Sequence, residues 1–293
     1  MLNLLRSDLY RITRIRGLRG HLWQYASVLL FIACLVVGLT WLIIQSGMGP
    51  EEGVDIIESL ATPSAFLGKT MLGSFSVLAL ASSFGMAEYT FADLSDGYIK
   101  SLVSSSHGRI AYLGEKIVFA GIWTALMLAL GCILNLLVLQ VFLSMSQDFT
   151  IQGPDDPAAL LLWLFGAWLA SWAITVIAMV AVPLFRKKLP VYIFTFTLVG
   201  GFIPLLLHIL SVLPNSMLPL LKSIAPALSA LAMWMPSTVL QSFMSGADAV
   251  FDTVATLPLA GDVAAWVWAA LTGVLWLFIG AVAYLVIGKR RDL

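Results

Sequence analysis

Six long apolar runs leave this chain little choice of fold. They cover 22–44, 66–86, 117–143, 158–184, 190–213 and 263–287. About 20 apolar residues cross the hydrocarbon core of a bilayer as a helix, and each run reaches that length. In hydrocarbon a backbone must satisfy its own N–H and C=O groups, which a helix does within one segment. Charged residues make up 11% of the chain, against about 25% in an ordinary soluble domain. The expected fold is therefore an all-α membrane protein with six transmembrane helices in one domain, residues 1–293.

Charge placement then orients it. With six crossings and the N-terminus inside, Lys69 and Lys222 are the two of the 16 basic residues that fall outside. Ten of the 16 acids fall outside on the same map. Basic residues collect on the cytoplasmic side of membrane proteins, so both termini are expected in the cytoplasm, with the chain in the cell membrane. The segment 214–262 includes SIAPALSALAMWMPSTVLQSF, apolar enough to resemble a seventh span. Pro226 and Pro236 cut its uninterrupted run to about half a membrane thickness, and a seventh crossing would carry Lys289, Arg290 and Arg291 outside. An outer re-entrant segment is expected there. Residues 1–19 carry Leu2, Leu5, Leu9 and Ile12 on one helical face and Arg11, Arg14 and Ser7 on the other. Such a basic amphipathic helix lies in the headgroup layer, where anionic lipids favour its five arginines.

Catalytic and cofactor motifs are missing. Cys34 and Cys132 each sit inside an apolar run, as buried structural thiols do. PSAFLGKT at 63–70 brushes against the phosphate-loop pattern, but Pro63 replaces the first glycine and no strand is expected before it. The chain is therefore read as having no ATP site, no metal and no cofactor of its own, and as no enzyme; no nucleic-acid partner is expected. Asn135, Gln140 and His208 are the polar groups placed within spans. Such groups face a bundle interior or a cavity, as interhelical hydrogen bonds or as parts of a substrate pathway. His208 follows Gly200, Gly201 and Pro204, which loosen its helix.

The inner segment 88–116, EYTFADLSDGYIKSLVSSSHGRIAYLGEK, carries a helical pattern. Phe91, Leu94, Tyr98 and Leu102 share one face, with Asp93, Asp96 and Lys100 on the remaining surface, and Ser104–Ser106 and Gly108 break it. A short amphipathic helix parallel to the membrane is expected. Glu88, Asp93, Gly97-Tyr98-Ile99-Lys100, Arg109, Tyr112 and Lys116 in this order resemble the inner loop of ABC-2 type permeases. These are membrane subunits of ATP-binding cassette exporters, among them bacterial permeases for bacteriocin, lantibiotic or bacitracin immunity. The overall layout resembles that family too.

The resemblance implies a coupling helix that docks into a groove of a separate ATPase, which holds the ATP and Mg. Phe91, Leu94, Tyr98 and Leu102 would supply its buried contact. Lys100, Arg109 and Lys116 would meet the ATPase or lipid phosphates. Asp93 belongs to the same motif, Gly97 would allow close backbone approach, and Glu88 would pair with a basic residue to fix the loop. The implied partners are that ATPase, a second copy or a related permease, and the lipid membrane. The implied substrate is amphiphilic or peptide-antibiotic-like, and the implied membrane is bacterial. A proton-coupled carrier working through His208, or a membrane scaffold, are the alternatives that need no ATPase.

Overall fold

The computed structural model describes residues 2–13, 21–45, 62–72, 76–95, 108–145, 155–212, 221–257 and 261–290. Its elements follow the hydropathy. Helix α1 is Leu2–Thr13 and α2 is His21–Gln45; α3 is Pro63–Leu67, prolonged by a π-helical turn Gly68–Leu72, and α4 is Val77–Ser95. The long α5 (Gly108–Met145) and α6 (Pro157–Phe185) follow. Next come α7 (Lys188–Val199), α8 (Phe202–Val212), α9 (Leu221–Met233) and α10 (Pro236–Ser242). Two 3₁₀ turns, a hairpin of β1 (Thr253–Leu257) and β2 (Gly261–Ala264), and α11 (Ala265–Arg290) complete the described chain.

Four of these helices are straight, long and apolar enough to cross a membrane: α2, α5, α6 and α11. Three further candidates are broken. The α7–α8 pair bends by 61° and the α9–α10 pair by 59°, and α3 with α4 makes the third. The molecule is a multi-pass, all-α membrane protein with four to seven apolar crossings by length and composition. The first bend falls at Gly200–Gly201, where Gly201 takes φ +71°, a value that suits a residue without Cβ. The second falls just before Pro236, which has no N–H to continue the helix before it.

Helix α6 is the centre of the bundle. Trp163, Ala167, Ala170, Ile174 and Met179 along it are fully buried. The outward faces of α2, α5, α8 and α11 are apolar and exposed, as at Phe31, Leu137, Leu206 and Phe278. This inversion is what a lipid-facing surface looks like when no lipid is drawn around it.

The spans differ from the sequence reading at their inner ends. Helix α4 runs on to Ser95 and α5 begins at Gly108, instead of stopping at Met86 and starting at Ile117. The β-hairpin was not foreseen. Its signal is the β-branched run Thr253, Val254, Thr256 followed in sequence by Pro258 and Gly261.

The two ends of the bundle are distinguishable. The C-terminal end of α4, the N-terminal end of α5 and the C-terminal end of α11 lie together. Phe91 packs with Ala181 and Val182 at the end of α6 and with Val191 at the start of α7. A Cβ on Gly288 near the end of α11 would come within 2.7 Å of Leu113. Arg186, Lys187 and Lys188, all exposed, turn from α6 into α7 at this same end.

Candidate functional site

Five ionisable side chains from three helices meet at that end. Asp8 and Arg11 come from α1, Asp93 from the last turn of α4, and Glu115 and Lys116 from the second turn of α5. Lys116 Nζ lies 2.5 Å from Asp8 Oδ2 and 2.7 Å from Asp93 Oδ2. Arg11 Nη1 donates to Asp93 Oδ1 at 2.9 Å and stands 3.6 Å from Asp8 Oδ1. Asp8, Asp93, Glu115 and Lys116 are all at most 2% exposed.

Phenols close the remaining sides. Tyr89 OH donates to Asp8 Oδ1 at 2.6 Å and Tyr112 OH to Asp93 Oδ2 at 2.8 Å. The Tyr89 ring is also a cation platform, with Lys116 Nζ 4.2 Å and Arg11 Cζ 5.0 Å from its centroid. Such contacts strengthen when desolvated. Burial works against the charge on Arg11, but Asp93, Tyr89 and Asp8 around it win, and its pKa rises further above the ordinary guanidinium value.

Local sequence explains how α1 delivers its two groups. Leu4, Asp8 and Ile12 are spaced by four and form its buried stripe, at 8%, 2% and 5% exposure. A carboxylate in the middle of an apolar stripe needs a partner, because an unpaired buried charge is very costly. That stripe faces protein, so α1 is docked on the bundle through Leu4, Asp8 and Ile12. The expectation of a helix resting on headgroups alone is corrected on this point. Arg6 and Tyr10 remain exposed.

A second polar knot lies beside the first. Glu88 accepts from Tyr192 OH of α7 at 2.8 Å and from Tyr25 OH of α2 at 3.4 Å. These two phenols tie α2, α4 and α7 together.

The expected coupling residues divide three ways. Phe91, Asp93 and Leu94 belong to the end of α4, not to a separate surface helix. Phe91 and Asp93 are buried, and Leu94 packs against the core. Phe91 packs into this chain's own core, so the expectation that it enters a partner's groove is corrected, while Leu94 stays half-buried. Asp93 likewise moves from helix surface to bundle interior. Lys116 is fully buried between two carboxylates and cannot reach a partner or a headgroup without breaking them. Gly97, Tyr98, Lys100 and Leu102 lie outside the described residues, and Arg109 is described in its backbone within α5.

The polar groups within the spans divide as well. Asn135 is buried and accepts at Oδ1 from Thr70 Oγ1 at 2.6 Å, while its Nδ2 donates to Gly131 O at 3.1 Å. It also borders an apolar cavity of about 260 Å³ together with Pro63, Leu136, Asp155 and Leu160. Gln140 and His208 are exposed on the outward faces of α5 and α8. The expectation that they line the bundle interior is corrected, because the bends around α8 turn His208 outward beside Leu205 and Ile209. Gly68, Lys69 and Thr70, the end of the phosphate-loop-like stretch, form part of the π-helical turn.

The opposite end of the bundle is held differently. Ser64 Oγ donates to Asp155 Oδ1 and accepts from Ala247 N at 2.8 Å. Gly68 lies so close to the chain after α10 that a Cβ would come within 2.7 Å of Met244 O. Trp163 Nε1 donates to Phe243 O at 3.0 Å and Trp276 Nε1 to Trp234 O at 2.5 Å. No protein-family model and no curated protein matches the chain.

Proposed function

We propose that this chain is the permease subunit of an ATP-binding cassette transporter. It would export an amphiphilic or peptide-antibiotic-like substrate, driven by a separate ATPase that docks on the inner segment between α4 and α5. The observation that carries this reading is the buried ion cluster. It ties the last turn of α4, the first turns of α5 and helix α1 into one unit, on both flanks of residues 96–107. A force applied to that segment would reach three helices at once. A buried ion set in which Asp8, Asp93, Arg11 and Lys116 are paired suits this, since removing any one partner is costly.

Six crossings with both termini inside are part of this reading. The end of α11 beside the start of α5 supports an even number of crossings. On this reading one of the α7–α8 and α9–α10 pairs spans and the other is re-entrant. The basic residues favour a cytoplasmic inner side, in a bacterial cell membrane on the family resemblance. The cavity beside Asn135, apolar with Asp155 at its border, suits a ligand with a hydrocarbon part, and a second copy or related permease would complete the pathway.

The test is mild-detergent purification of the tagged chain from its native membrane, with mass spectrometry of its companions. A stoichiometric soluble ATPase, lost in Tyr98→Asp, is the expected result. A well-folded chain that repeatedly arrives alone would overturn the reading.

A further inference from the structure

Among the described residues the cluster does not balance. Asp8, Asp93 and Glu115 bring three carboxylates; Arg11 and Lys116 bring two cations. Each oxygen of Asp8 and Asp93 has a donor: Tyr89, Arg11 and Lys116 serve Asp8, and Arg11, Tyr112 and Lys116 serve Asp93. Glu115 is different. It is 2% exposed, and neither of its oxygens has a hydrogen-bond partner among the described residues. Yet it lies within hydrogen-bonding reach of Asp8.

Two ionised carboxylates side by side can only accept, so a hydrogen bond between them requires that one carries a proton. We propose that Glu115 is a proton-binding site. At neutral pH its carboxyl carries a proton and donates it to Asp8, and loss of that proton weakens the docking of α1. The proton brings three acids and two bases to neutrality. It also converts an orphaned acceptor into a donor facing a carboxylate, a strong class of hydrogen bond.

A metal cation in the same place fits the residues less well. A hard cation takes six to eight oxygens, and the oxygens of Asp8 and Asp93 are already engaged. No group of three metal-ligating side chains occurs among the described residues. A proton needs one acceptor, and Asp8 supplies it. The groups that face Glu115 are Asp8 on α1, Asp93 on α4, Lys116 beside it on α5 and Tyr284 on α11. Arg11, Tyr89 and Tyr112 complete the shell around those carboxylates.

The direction of the effect follows. The folded state holds a proton that the unfolded chain releases in the ordinary carboxylate range, about pH 4. Stability then falls as pH rises, until the folded state loses the proton too. Glu115→Gln keeps the shape and the donor without a titratable group.

The experiment compares wild type, Glu115→Gln and Glu115→Ala, purified in lipid nanodiscs, from about pH 6 to about pH 9. Thermal unfolding and hydrogen exchange of the α1 amides are the readouts. Wild-type exchange in Leu2–Thr13 should accelerate relative to Glu115→Gln by up to about tenfold per pH unit, with its melting midpoint falling in step. Glu115→Gln should already be the more stable of the two at the acid end, by a margin that grows with pH, and Glu115→Ala should melt lower than Glu115→Gln throughout. Parallel pH profiles for wild type and Glu115→Gln would overturn the site. So would a wild-type midpoint that follows sodium or potassium concentration and not pH. Should the variants fail to fold, the infrared spectrum of the wild type decides. A protonated-carboxyl stretch present at neutral pH and lost on alkalisation is expected, and its absence at neutral pH overturns the proposal.

Discussion

The two ends of this bundle are fastened by different chemistry. At the end that carries the ion cluster, taken as the inner one on the proposed orientation, charges are buried and paired: Asp8, Arg11, Asp93 and Lys116 join α1, α4 and α5. At the opposite end, outer on the same proposal, short polar side chains and close backbone contacts do the work, through Ser64, Gly68 and the chain around Phe243. An ion set has a steep, all-or-none response, because a missing member leaves the others charged and buried. A set of neutral hydrogen bonds and glycine contacts loses stability in small steps. The inner end is therefore the one suited to switching, and the outer end the one suited to graded give.

Removing the central cation should break the comparison most visibly. Lys116→Ala leaves two buried carboxylates facing each other without their shared ammonium, at a cost of about 3–5 kcal/mol. Loss of the monodisperse peak in fluorescence size-exclusion is the expected outcome. Survival of that peak with an unchanged melting midpoint would count against a tightly paired cluster.

Crowding the outer end should cost less. Gly68→Ala pushes a methyl group toward the carbonyls of Phe243 and Met244, and overpacking of this kind costs about 1–3 kcal/mol. The melting midpoint should fall while hydrogen exchange in α1 stays at its wild-type rate. A change in α1 would mean that the two ends are not independent.

The amphipathic pattern of α1 and the apolar, helical character of the spans were legible because hydropathy and spacing determine them locally, whereas the helix ends at Ser95 and Gly108 were not. The ion cluster was not, since Asp8, Asp93 and Lys116 are remote in sequence and meet only through packing. One hint was available, the acid at position 8 between Leu4 and Ile12. The bend at Gly200–Gly201 and the break before Pro236 were readable from residue type. The direction in which His208 points was not, because it depends on two bends and on how α8 lies against α9. Asp93 read as surface because spacing reports which residues share a face, and its burial is decided by α1.

Trimming the outer knot should be milder again. Ser64→Ala deprives Asp155 and Ala247 N of one partner each, and a lost hydrogen bond of this sort is worth about 1–2 kcal/mol. A midpoint shift smaller than that of Gly68→Ala is the outcome to look for in the same assay. The smallest effect belongs to Asn135→Leu. Interhelical hydrogen bonds in bundles average about 0.6 kcal/mol, so stability should barely move. Under the proposed function, a change in ligand-stimulated ATPase activity of the complex, with stability intact, would assign Asn135 to a substrate cavity.

Trp168 and Trp172, stacked at 5.1 Å on α6, donate their indole N–H groups to Gly121 O and Ile117 O on α5. Donors and acceptors are each four residues apart on antiparallel helices, so both rows repeat at one helical turn, about 5.4 Å. The pair works like the teeth of a rack. A slide of α5 along α6 by a fraction of a turn would unseat both indoles, whereas a slide by a whole turn would seat one of them on the other's carbonyl. Any axial travel between these two helices is therefore quantised by the tryptophans.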